Sequence, residues 1–244
     1  MALHFLLEGP LSASAGDEVA LTGAEAHHAA KVRRVRVGEA VTVGDGHGAW
    51  LTGVVESVSP SEVIVRIESR DDVAPVRPRL VLVQALAKTD RDELAIQAAT
   101  ELGVDEIVPW QAARSVSRWD AAKATKGRAR WNTIVREAAK QAHRAWLPTV
   151  AELSSTADLL ARARTSRVVV LEPQGTEALS ELQWNADESD ILLVVGPEGG
   201  IAAEELEALA DAGARLARLG ETVLRTSTAG PAAIAVMNVA LRRW

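Results

Sequence analysis

Three glycines and one carboxylate follow an apolar run near residue 195. The run from Ile191 to Val195 ends at Gly196-Pro197-Glu198-Gly199-Gly200, and a helical pattern follows. Ligands of open α/β sheets bind beyond the carboxyl ends of the strands, where glycine lets the backbone approach a ligand closely. The dinucleotide and P-loop glycine patterns are absent, and a carboxylate at 198 would repel a phosphate. The loop therefore predicts a neutral or cationic ligand, with a tight turn that holds no ligand as the alternative.

A second loop of the same kind lies further along the chain. Leu219-Gly220 ends another apolar run, and the residues from Val223 to Ala229 lead into a last helix. Arg225 is able to hold a phosphate or to stabilise negative charge that develops on a substrate, and a surface ion pair is the alternative. The hydroxyls at 226 to 228 are donors near a helix start, where plain N-capping is the alternative.

The hydrophobic pattern of the chain divides it into two regions, and the second region contains both loops. Residues 1–72 form short runs of alternating apolar and polar residues with glycine-rich turns, which predicts a small β-rich domain. Its GDGHG stretch at 44–48 is predicted to be a hairpin turn and not a phosphate loop, because no helix follows. Residues 71–79 have a linker composition. Residues 73–244 alternate continuously apolar strands with helices, which predicts a parallel sheet covered on both faces.

Two helices of the second region carry specific expectations. One is predicted over 90–103, with Leu94, Ala98 and Leu102 on its buried face and Gly103 as its C-cap. The other is a long amphipathic helix predicted over about 120–146. Arg136, Lys140 and Arg144 recur every four residues on it, so we expect an exposed basic stripe.

The basic residues are unevenly distributed. The net charge is −6, but residues 110–150 contain nine Lys or Arg against two acidic residues, together with four of the seven tryptophans. This excess, and the cations from Lys31 to Arg36, favour contact with RNA over a merely solvated face. The tryptophans at 131 and 146 are predicted to pack in the core, with stacking on bases as the alternative.

Taken together, the motifs resemble one known family. They are GPEGG followed by Ile201 and a helix, LG-x-x-x-LRT-x-TA at 219–229, EAAKQAHRAWLP at 137–148 and the His-led HHAAKVRR at 27–34. They resemble the SPOUT methyltransferases, and specifically the bacterial family that methylates N3 of a uridine in 16S ribosomal RNA. The resemblance covers nearly the whole chain. It implies an α/β fold with a PUA-like β-barrel RNA-binding domain over 1–72 and a trefoil-knotted, parallel-sheet domain over 73–244.

The same resemblance implies ligands and roles. The second domain is expected to bind S-adenosylmethionine and to form a homodimer, and the partner is expected to be 16S ribosomal RNA or the small ribosomal subunit. Arg225 is the expected catalytic residue. The expected RNA-binding residues are Lys31, Arg33, Arg34, Arg36, Arg114, Arg136, Lys140 and Arg144. The expected cofactor-binding residues are Leu171, Glu172, Gly196, Pro197, Glu198, Gly199, Gly200, Ile201, Leu219, Gly220, Val223, Leu224, Arg225, Thr226, Ser227, Thr228 and Ala229.

Two departures from the family pattern leave the general base unassigned. Ser227 stands where relatives often carry Glu, and Ala202 replaces the usual Ser or Thr cap, which leaves Glu205 without its capping-box partner. Glu172 and Glu198 remain candidate bases, and solvent is another acceptor for the proton. Glu198 also has two interpretations: a partner for a sulfonium charge, or a structural acceptor for loop amides.

Other classes of function remain as rivals. A SPOUT ribose 2′-O-methyltransferase is the alternative among enzymes, and a non-catalytic RNA-binding ribosome-assembly factor is the alternative from another class. The chain has no Cys, which favours a reducing compartment, and we expect the cytoplasm. No apolar run approaches the roughly 18 residues that span a bilayer. We expect no secretory leader, no membrane partner and no metal site.

Overall fold

The computed structural model of the chain describes residues 2–184 and 189–244, which form two compact units. One unit comprises Met1–Pro75 and Ala139–Leu147, and the other comprises Val76–Ala138 and Pro148–Trp244. The domain limits of 1–72 and 73–244 stay predictions. Nothing in the sequence predicts that residues 139–147 belong to the first unit.

The first unit is built on a five-stranded sheet with the order β1-β3-β4-β5-β2. Strands β1 and β3 pair in parallel, and the other pairs are antiparallel. Alternate residues face a core that includes Phe5, Leu21 and Leu51, as the alternating pattern predicts. The strands are β1 Leu3–Leu6, β2 Glu18–Thr22, β3 Ala40–Gly44, β4 Ala49–Val58 and β5 Glu62–Asp72, and the helical segments are α1 Gly23–His27 and a π-helix over His28–Arg33.

The GDGHG stretch is the predicted hairpin turn. It joins the antiparallel strands β3 and β4, and the Asp45 carboxylate accepts hydrogen bonds from the backbone N–H groups of His47 at 2.7 Å and Ala49 at 3.2 Å. Gly46 has φ +72°, and a Cβ there would come within 2.6 Å of the Leu147 side chain. The glycine therefore serves a turn and a close contact within this unit.

The second unit contains the predicted parallel sheet, in the order β10-β12-β9-β11-β6-β7-β8. Leu80 and Leu82 pack with the helices that begin at Arg91, Ala121 and Thr226, whereas Val81 and Val83 pack with those that begin at Thr156 and Ala203, so both faces are covered. The strands are β6 Leu80–Ala85, β7 Glu106–Trp110, β8 Thr149–Val150, β9 Arg167–Leu171, β10 Glu177–Ala178, β11 Ile191–Val195 and β12 Arg215–Arg218. The helices are α2 Arg91–Glu101, α3 Ala121–Gln141, α4 Thr156–Arg162, a 3-10 turn at Leu179–Glu181, α5 Ala203–Asp211 and α6 Thr226–Ala240.

Helix α2 buries a different face from the one predicted. Leu94 is 52% exposed, whereas Ala95, Ile96 and Ala99 are fully buried. Small residues allow α2 to pack closely against α6, and this tertiary contact outweighs the hydrophobicity of a single leucine. The predicted end of the helix is confirmed, because Gly103 has φ +94° directly after it.

The predicted basic stripe is wrong. Helix α3 ends at Gln141, because His143 adopts φ +54° and the backbone N–H of Arg144 bonds to the carbonyl of Ala139 at 3.0 Å. Such a left-handed cap is normally glycine, so the sequence gives no stop signal here. The Lys140 side chain is only 8% exposed and forms an ion pair with Glu25 at 2.7 Å. Lys140 is therefore a buried structural cation, and Arg144 lies beyond the helix.

His4 is a buried titratable group in the first unit. Its ring stacks on Trp50 with 4.3 Å between centroids, and its Nδ1 shares a 2.9 Å hydrogen bond with the Thr42 hydroxyl. Burial, followed by the nearby charges of His143 and Lys140, lowers the pKa of His4 to about 4. The ring is therefore neutral at physiological pH.

This low pKa predicts a loss of stability in acid. Between about pH 6.5 and pH 4 the unfolded chain binds a proton at residue 4 and the folded chain does not, so stability falls as the pH falls through that window. In the wild type, His4 should lower the free energy of unfolding by about 2 to 3 kcal/mol between pH 7 and pH 4.5. We expect His4→Phe to abolish this part of the decrease. Urea unfolding at both pH values measures it. An unchanged pH dependence in the variant would contradict the prediction.

Candidate active site

A cavity of about 370 Å³ lies at the carboxyl ends of β9, β11 and β12 and at the start of α6. Three chain segments and one side chain from α2 form its walls. The lining residues are Arg91, Leu171, Glu172, Pro173, Val195, Gly196, Pro197, Glu198, Gly200, Ile201, Ala217, Leu219, Gly220, Thr222, Val223, Leu224, Arg225, Thr226 and Ala229. The structure thus brings together the two glycine loops and the segment at 171–173.

Most of the expected cofactor residues line this cavity, but Gly199, Ser227 and Thr228 do not. The set of expected residues also lacked five that do line it: Arg91, Pro173, Val195, Ala217 and Thr222. Val195 and Ala217 lie at the ends of apolar strands, so extending each predicted loop backwards would have found them. Nothing in the sequence places Arg91 here, because α2 precedes the glycine loop by about a hundred residues.

The glycines of the two loops have different structural roles. Gly199 does not line the cavity, and a Cβ on it would lie 3.7 Å from Arg114 in an ordinary contact, so its role as a cofactor-binding residue stays a prediction. Gly200 and Gly220 line the cavity with φ +72° and φ +147°, which side chains of L-residues rarely adopt. The backbone conformation therefore requires glycine at these two positions, and space requires it at Gly196, where a Cβ would come within 2.6 Å of the Ile201 side chain.

Glu198 is a structural acceptor. Its carboxylate accepts a hydrogen bond from the backbone N–H of Lys88 at 3.0 Å and forms an ion pair with the Arg91 guanidinium at 3.2 Å. These contacts favour the interpretation of Glu198 as a structural acceptor over that of a partner for a sulfonium charge. They also connect the glycine loop to the start of α2. A charge-assisted hydrogen bond is stronger than a neutral one, so the connection stiffens this wall of the cavity.

Arg225 stands at the cavity without a protein partner. It is exposed, it is the N-cap residue of α6, and its guanidinium makes no hydrogen bond or ion pair with any residue in the described ranges 2–184 and 189–244. The alternative of a surface ion pair is therefore not what the structure shows. A guanidinium in this position is available to a substrate.

The hydroxyls after Arg225 do not cap α6. The N-cap residue is Arg225 and no side chain caps this helix. Thr226 is buried, and its hydroxyl donates to the carbonyl oxygen of Gly196 at 2.9 Å. Ser227 is half-buried and Thr228 is exposed. N-capping is therefore the wrong interpretation for Thr226, which joins the second loop to the first.

Glu205 forms buried hydrogen bonds next to the glycine loop. Ala202 is the N-cap of α5, as expected, and its backbone N–H donates to Glu205 at 3.4 Å. The buried carboxylate also accepts the N–H of Ala113 at 3.0 Å and the hydroxyl of Thr156 at 2.6 Å. Glu205 thus gains partners from other segments in place of a capping hydroxyl.

Arg114, one of the expected RNA-binding residues, contacts the glycine loop. Its guanidinium makes long contacts of 3.4 and 3.5 Å to the carbonyls of Gly199 and Ile201.

No residue is identified as a general base by its contacts alone. Glu172 and Glu198 are the two carboxylates that line the cavity. Burial raises the pKa of Asp92 to about 6, against the opposing effect of hydrogen bonds from the backbone N–H groups of Ala87 and Glu93. Asp92 supports the loop before α2 and does not line the cavity.

The expected RNA-binding cations fall into two groups. Lys31, Arg33, Arg34 and Arg36 are exposed on the π-helix and the turn after it, and their side chains pair with no carboxylate within the described part of the chain. In and around α3, three cations form ion pairs with carboxylates from other segments of the chain. These are Arg128 with Glu152, Arg130 with Glu93 and Lys140 with Glu25.

Comparison with known proteins identifies the family. A model of the RNA methyltransferase domain matches residues 75–238, and a model of the RNA methyltransferase PUA domain matches residues 21–68. The chain belongs to this RNA methyltransferase family. The predicted family, enzyme class and α/β fold with a PUA-like domain before a SPOUT-type methyltransferase domain are confirmed.

Named relatives match this sequence over most of its length. The ribosomal RNA small subunit methyltransferase E of Mycobacterium bovis is 46% identical over 94% of this chain and 89% of its own. The protein of the same name from Bacillus subtilis is 34% identical over 86% of this chain and 85% of its own. A crystal structure of the Neisseria gonorrhoeae enzyme of that name, bound to S-adenosyl methionine, matches with a TM-score of 0.84 and 28% identity over 98% of each chain.

Two further observations concern metals and membranes. Among residues 2–184 and 189–244, no three His, Asp or Glu side chains are grouped so that they would hold a metal ion. None of the helices that the structure describes combines the length and the apolar character that a membrane span requires.

Proposed function

We propose that this chain transfers a methyl group from S-adenosylmethionine to N3 of a uridine in the 16S RNA of the small ribosomal subunit. The observation that carries the proposal is the cavity at the strand ends, with the unpaired guanidinium of Arg225 at its wall. The 46% identity to a ribosomal RNA small subunit methyltransferase supports the RNA substrate. The family membership supports the reaction class.

The residues of the cavity fit S-adenosylmethionine. A volume of about 370 Å³ lies within the usual range for small-molecule sites. Leu171, Val195 and Ile201 provide apolar walls for an adenine ring, and Gly200 and Gly220 let the backbone approach a ligand closely. When bound, this cofactor supplies an electrophilic methyl group on a cationic sulfur. The loops at 171–173, 196–201 and 219–229 would hold it.

The chain must hold the uracil ring in line with that methyl group. N3 lies on the Watson–Crick edge, so the uridine must be unpaired or flipped out of its helix. Arg225 then stabilises the negative charge on the uracil oxygens as the N3 proton leaves, and this lowers the barrier to methyl transfer. Glu172 is the better proton acceptor of the two lining carboxylates, because Glu198 is already held by Lys88 and Arg91.

Nucleoside analysis tests the proposal. Ribosomal RNA from cells with and without the gene is digested and its nucleosides are identified by mass spectrometry. We expect 3-methyluridine to disappear from 16S RNA in the deletion strain and to return when the purified protein and S-adenosylmethionine are added. A missing 2′-O-methyl nucleoside would support the ribose methyltransferase instead. No missing nucleoside, with RNA binding retained, would support the assembly factor.

Cofactor affinity should depend on the backbone of the second loop. At Gly220 an alanine would have to adopt φ +147°, with a strain of about 1 to 3 kcal/mol, or the loop would shift. We expect Gly220→Ala to weaken S-adenosylmethionine binding about tenfold or more in calorimetry. Gly213→Ala is the matched control, because Gly213 has φ +93° in open space and does not line the cavity. Equal affinity losses in both variants would contradict a local effect.

We also propose that the protein is a homodimer. Helices α2 and α6 pack on each other and leave Leu94 and Val239 exposed by 52% and 64%. Large apolar side chains exposed on adjacent helices are typical of a surface that a partner covers. Light scattering should give twice the chain mass of 25.9 kDa, and Leu94→Glu with Val239→Glu should give the single mass. A monomeric wild-type protein with full activity would overturn this proposal.

Two coarser proposals complete the assignment. Residues 1–72 form the domain that binds RNA, and residues 73–244 form the domain that binds the cofactor. The protein works in the cytoplasm, where ribosomal RNA of the small subunit is made and assembled. Arg136 and Arg144, which are half-buried, are secondary candidates for RNA contact after the exposed cations at 31–36.

A further inference from the structure

We infer that Gln84 is a positioning residue for methyl transfer, which acts through Thr226 to hold the two cofactor loops in one fixed arrangement. The inference rests on the proposed function of the cavity. Gln84 lies on β6 and does not line the cavity itself.

Gln84 is the polar side chain at the end of an otherwise apolar strand. It is 0% exposed, and it pairs in register with Val195, the residue before the first glycine loop. Its Nε2 donates to the Thr226 hydroxyl at 2.9 Å and to the carbonyl of Ala85 at 3.1 Å. The Thr226 hydroxyl in turn donates to the carbonyl of Gly196 at 2.9 Å. The Gln84 side chain, through Thr226, therefore links strand β6 to both loops.

The direction of these hydrogen bonds is determined by the donors available. The carbonyl of Gly196 can only accept, so the single hydroxyl proton of Thr226 must point to it. Thr226 must then accept from Gln84, which requires the NH₂ group of the amide to face it. The Oε1 of Gln84 is buried and finds no donor among the described residues.

A buried acceptor without a donor reduces stability, and an apolar side chain of similar size would avoid that cost. The amide therefore contributes defined geometry more than net stability. Thr226 directly follows Arg225, and Gly196 begins the first loop. These hydrogen bonds thus set the position of Arg225, whose guanidinium is expected to contact the substrate, relative to the loop that holds the cofactor. An error of about 1 Å in such positioning lowers turnover about a hundredfold.

Three variants test the link without changing side-chain size by much. Gln84→Met and Thr226→Val each remove one hydrogen-bonding group, and Thr226→Ser keeps the hydroxyl. Calorimetry gives the Kd for S-adenosylmethionine, and assays at saturating cofactor give kcat on 16S RNA. We expect Gln84→Met and Thr226→Val each to raise Kd about tenfold and to lower kcat about tenfold or more. Thr226→Ser should recover most of the Kd and kcat that Thr226→Val loses, because it keeps the hydroxyl.

The double variant distinguishes one linked chain from two independent effects. If Gln84 acts through Thr226, Gln84→Met with Thr226→Val should be no worse than Thr226→Val alone. Asn238→Leu is the matched control, since Asn238 is a buried amide on the same helix that donates to the carbonyl of Leu102 at 2.7 Å, away from the cavity. It should lower Tm and leave Kd and kcat unchanged. Additive losses in the double variant would overturn the inference.

Failure of this inference is distinguishable from failure of the proposed function. If the wild-type protein binds no S-adenosylmethionine, the proposed function fails, and the inference fails with it. If the wild type binds and methylates while Gln84→Met lowers Tm but keeps both Kd and kcat, only the inference fails. If Gln84→Met does not fold, the contrast between Thr226→Val and Thr226→Ser decides, and equal behaviour of these two would overturn it.

Discussion

Replacing Arg225 with alanine is expected to lower methyl transfer to 16S RNA about 100- to 1,000-fold, which is the usual effect of removing one donor that stabilises transition-state charge. The guanidinium lines the cavity and has no partner among the described residues, so its hydrogen-bonding groups are free for the uracil oxygens or an RNA phosphate. The Kd for S-adenosylmethionine should change by less than about threefold, because the Arg225 side chain is expected to contact the substrate, whereas the cofactor contacts of this loop are expected from its backbone. Single-turnover assays with saturating cofactor measure the effect.

Two variants control for charge and for shape. Arg164→Ala removes an exposed arginine in the turn after α4, away from the cavity, and should leave turnover unchanged. Arg225→Lys keeps the charge but loses the planar fork, so it should recover only part of the rate. If Arg225→Ala retains more than about a third of the wild-type rate, the role proposed for this guanidinium is wrong.

Replacing Lys31, Arg33 and Arg34 with glutamine is expected to weaken RNA binding on the order of 100-fold near physiological salt. These side chains are exposed and have no carboxylate partner within the described ranges. Each lost phosphate contact removes about 0.7 to 0.9 from the slope of log affinity against log salt, so the slope should fall by about 2 to 3. Filter binding over a series of salt concentrations gives both quantities.

A charge-matched control separates a local contact from the overall field of the protein. Replacing Arg66, Arg164 and Arg215 with glutamine removes the same charge from other exposed positions. It should change the slope much less, and neither triple variant should alter the Kd for S-adenosylmethionine. If both triple variants change the slope equally, the cations at 31–34 are not a specific RNA surface.

The class of fold and the place of the site follow from patterns in the amino-acid sequence. Continuous apolar runs such as 80–85 and 191–195 predict strands buried on both faces, and the structure places them side by side in a parallel sheet. Glycine loops directly after two apolar runs predict a ligand at the strand ends, and both loops line one cavity. These signals are local, because hydrophobic period and turn chemistry are written in neighbouring residues. A knotted chain path leaves no such trace, and only the resemblance of the motifs implies it.

Contacts between distant residues, in contrast, become visible only in the folded chain. The tertiary structure brought Arg91 to Glu198, Gln84 to Thr226 and Lys140 to Glu25, and so turned one predicted RNA contact into a buried ion pair. It also ended α3 at a left-handed His143, where no glycine marks a stop. Each of these pairs is separated by more than a hundred residues in the chain and is set by strand order, register and helix packing. Such contacts depend on the whole packed chain, and the periodicity of a single segment carries no information about them.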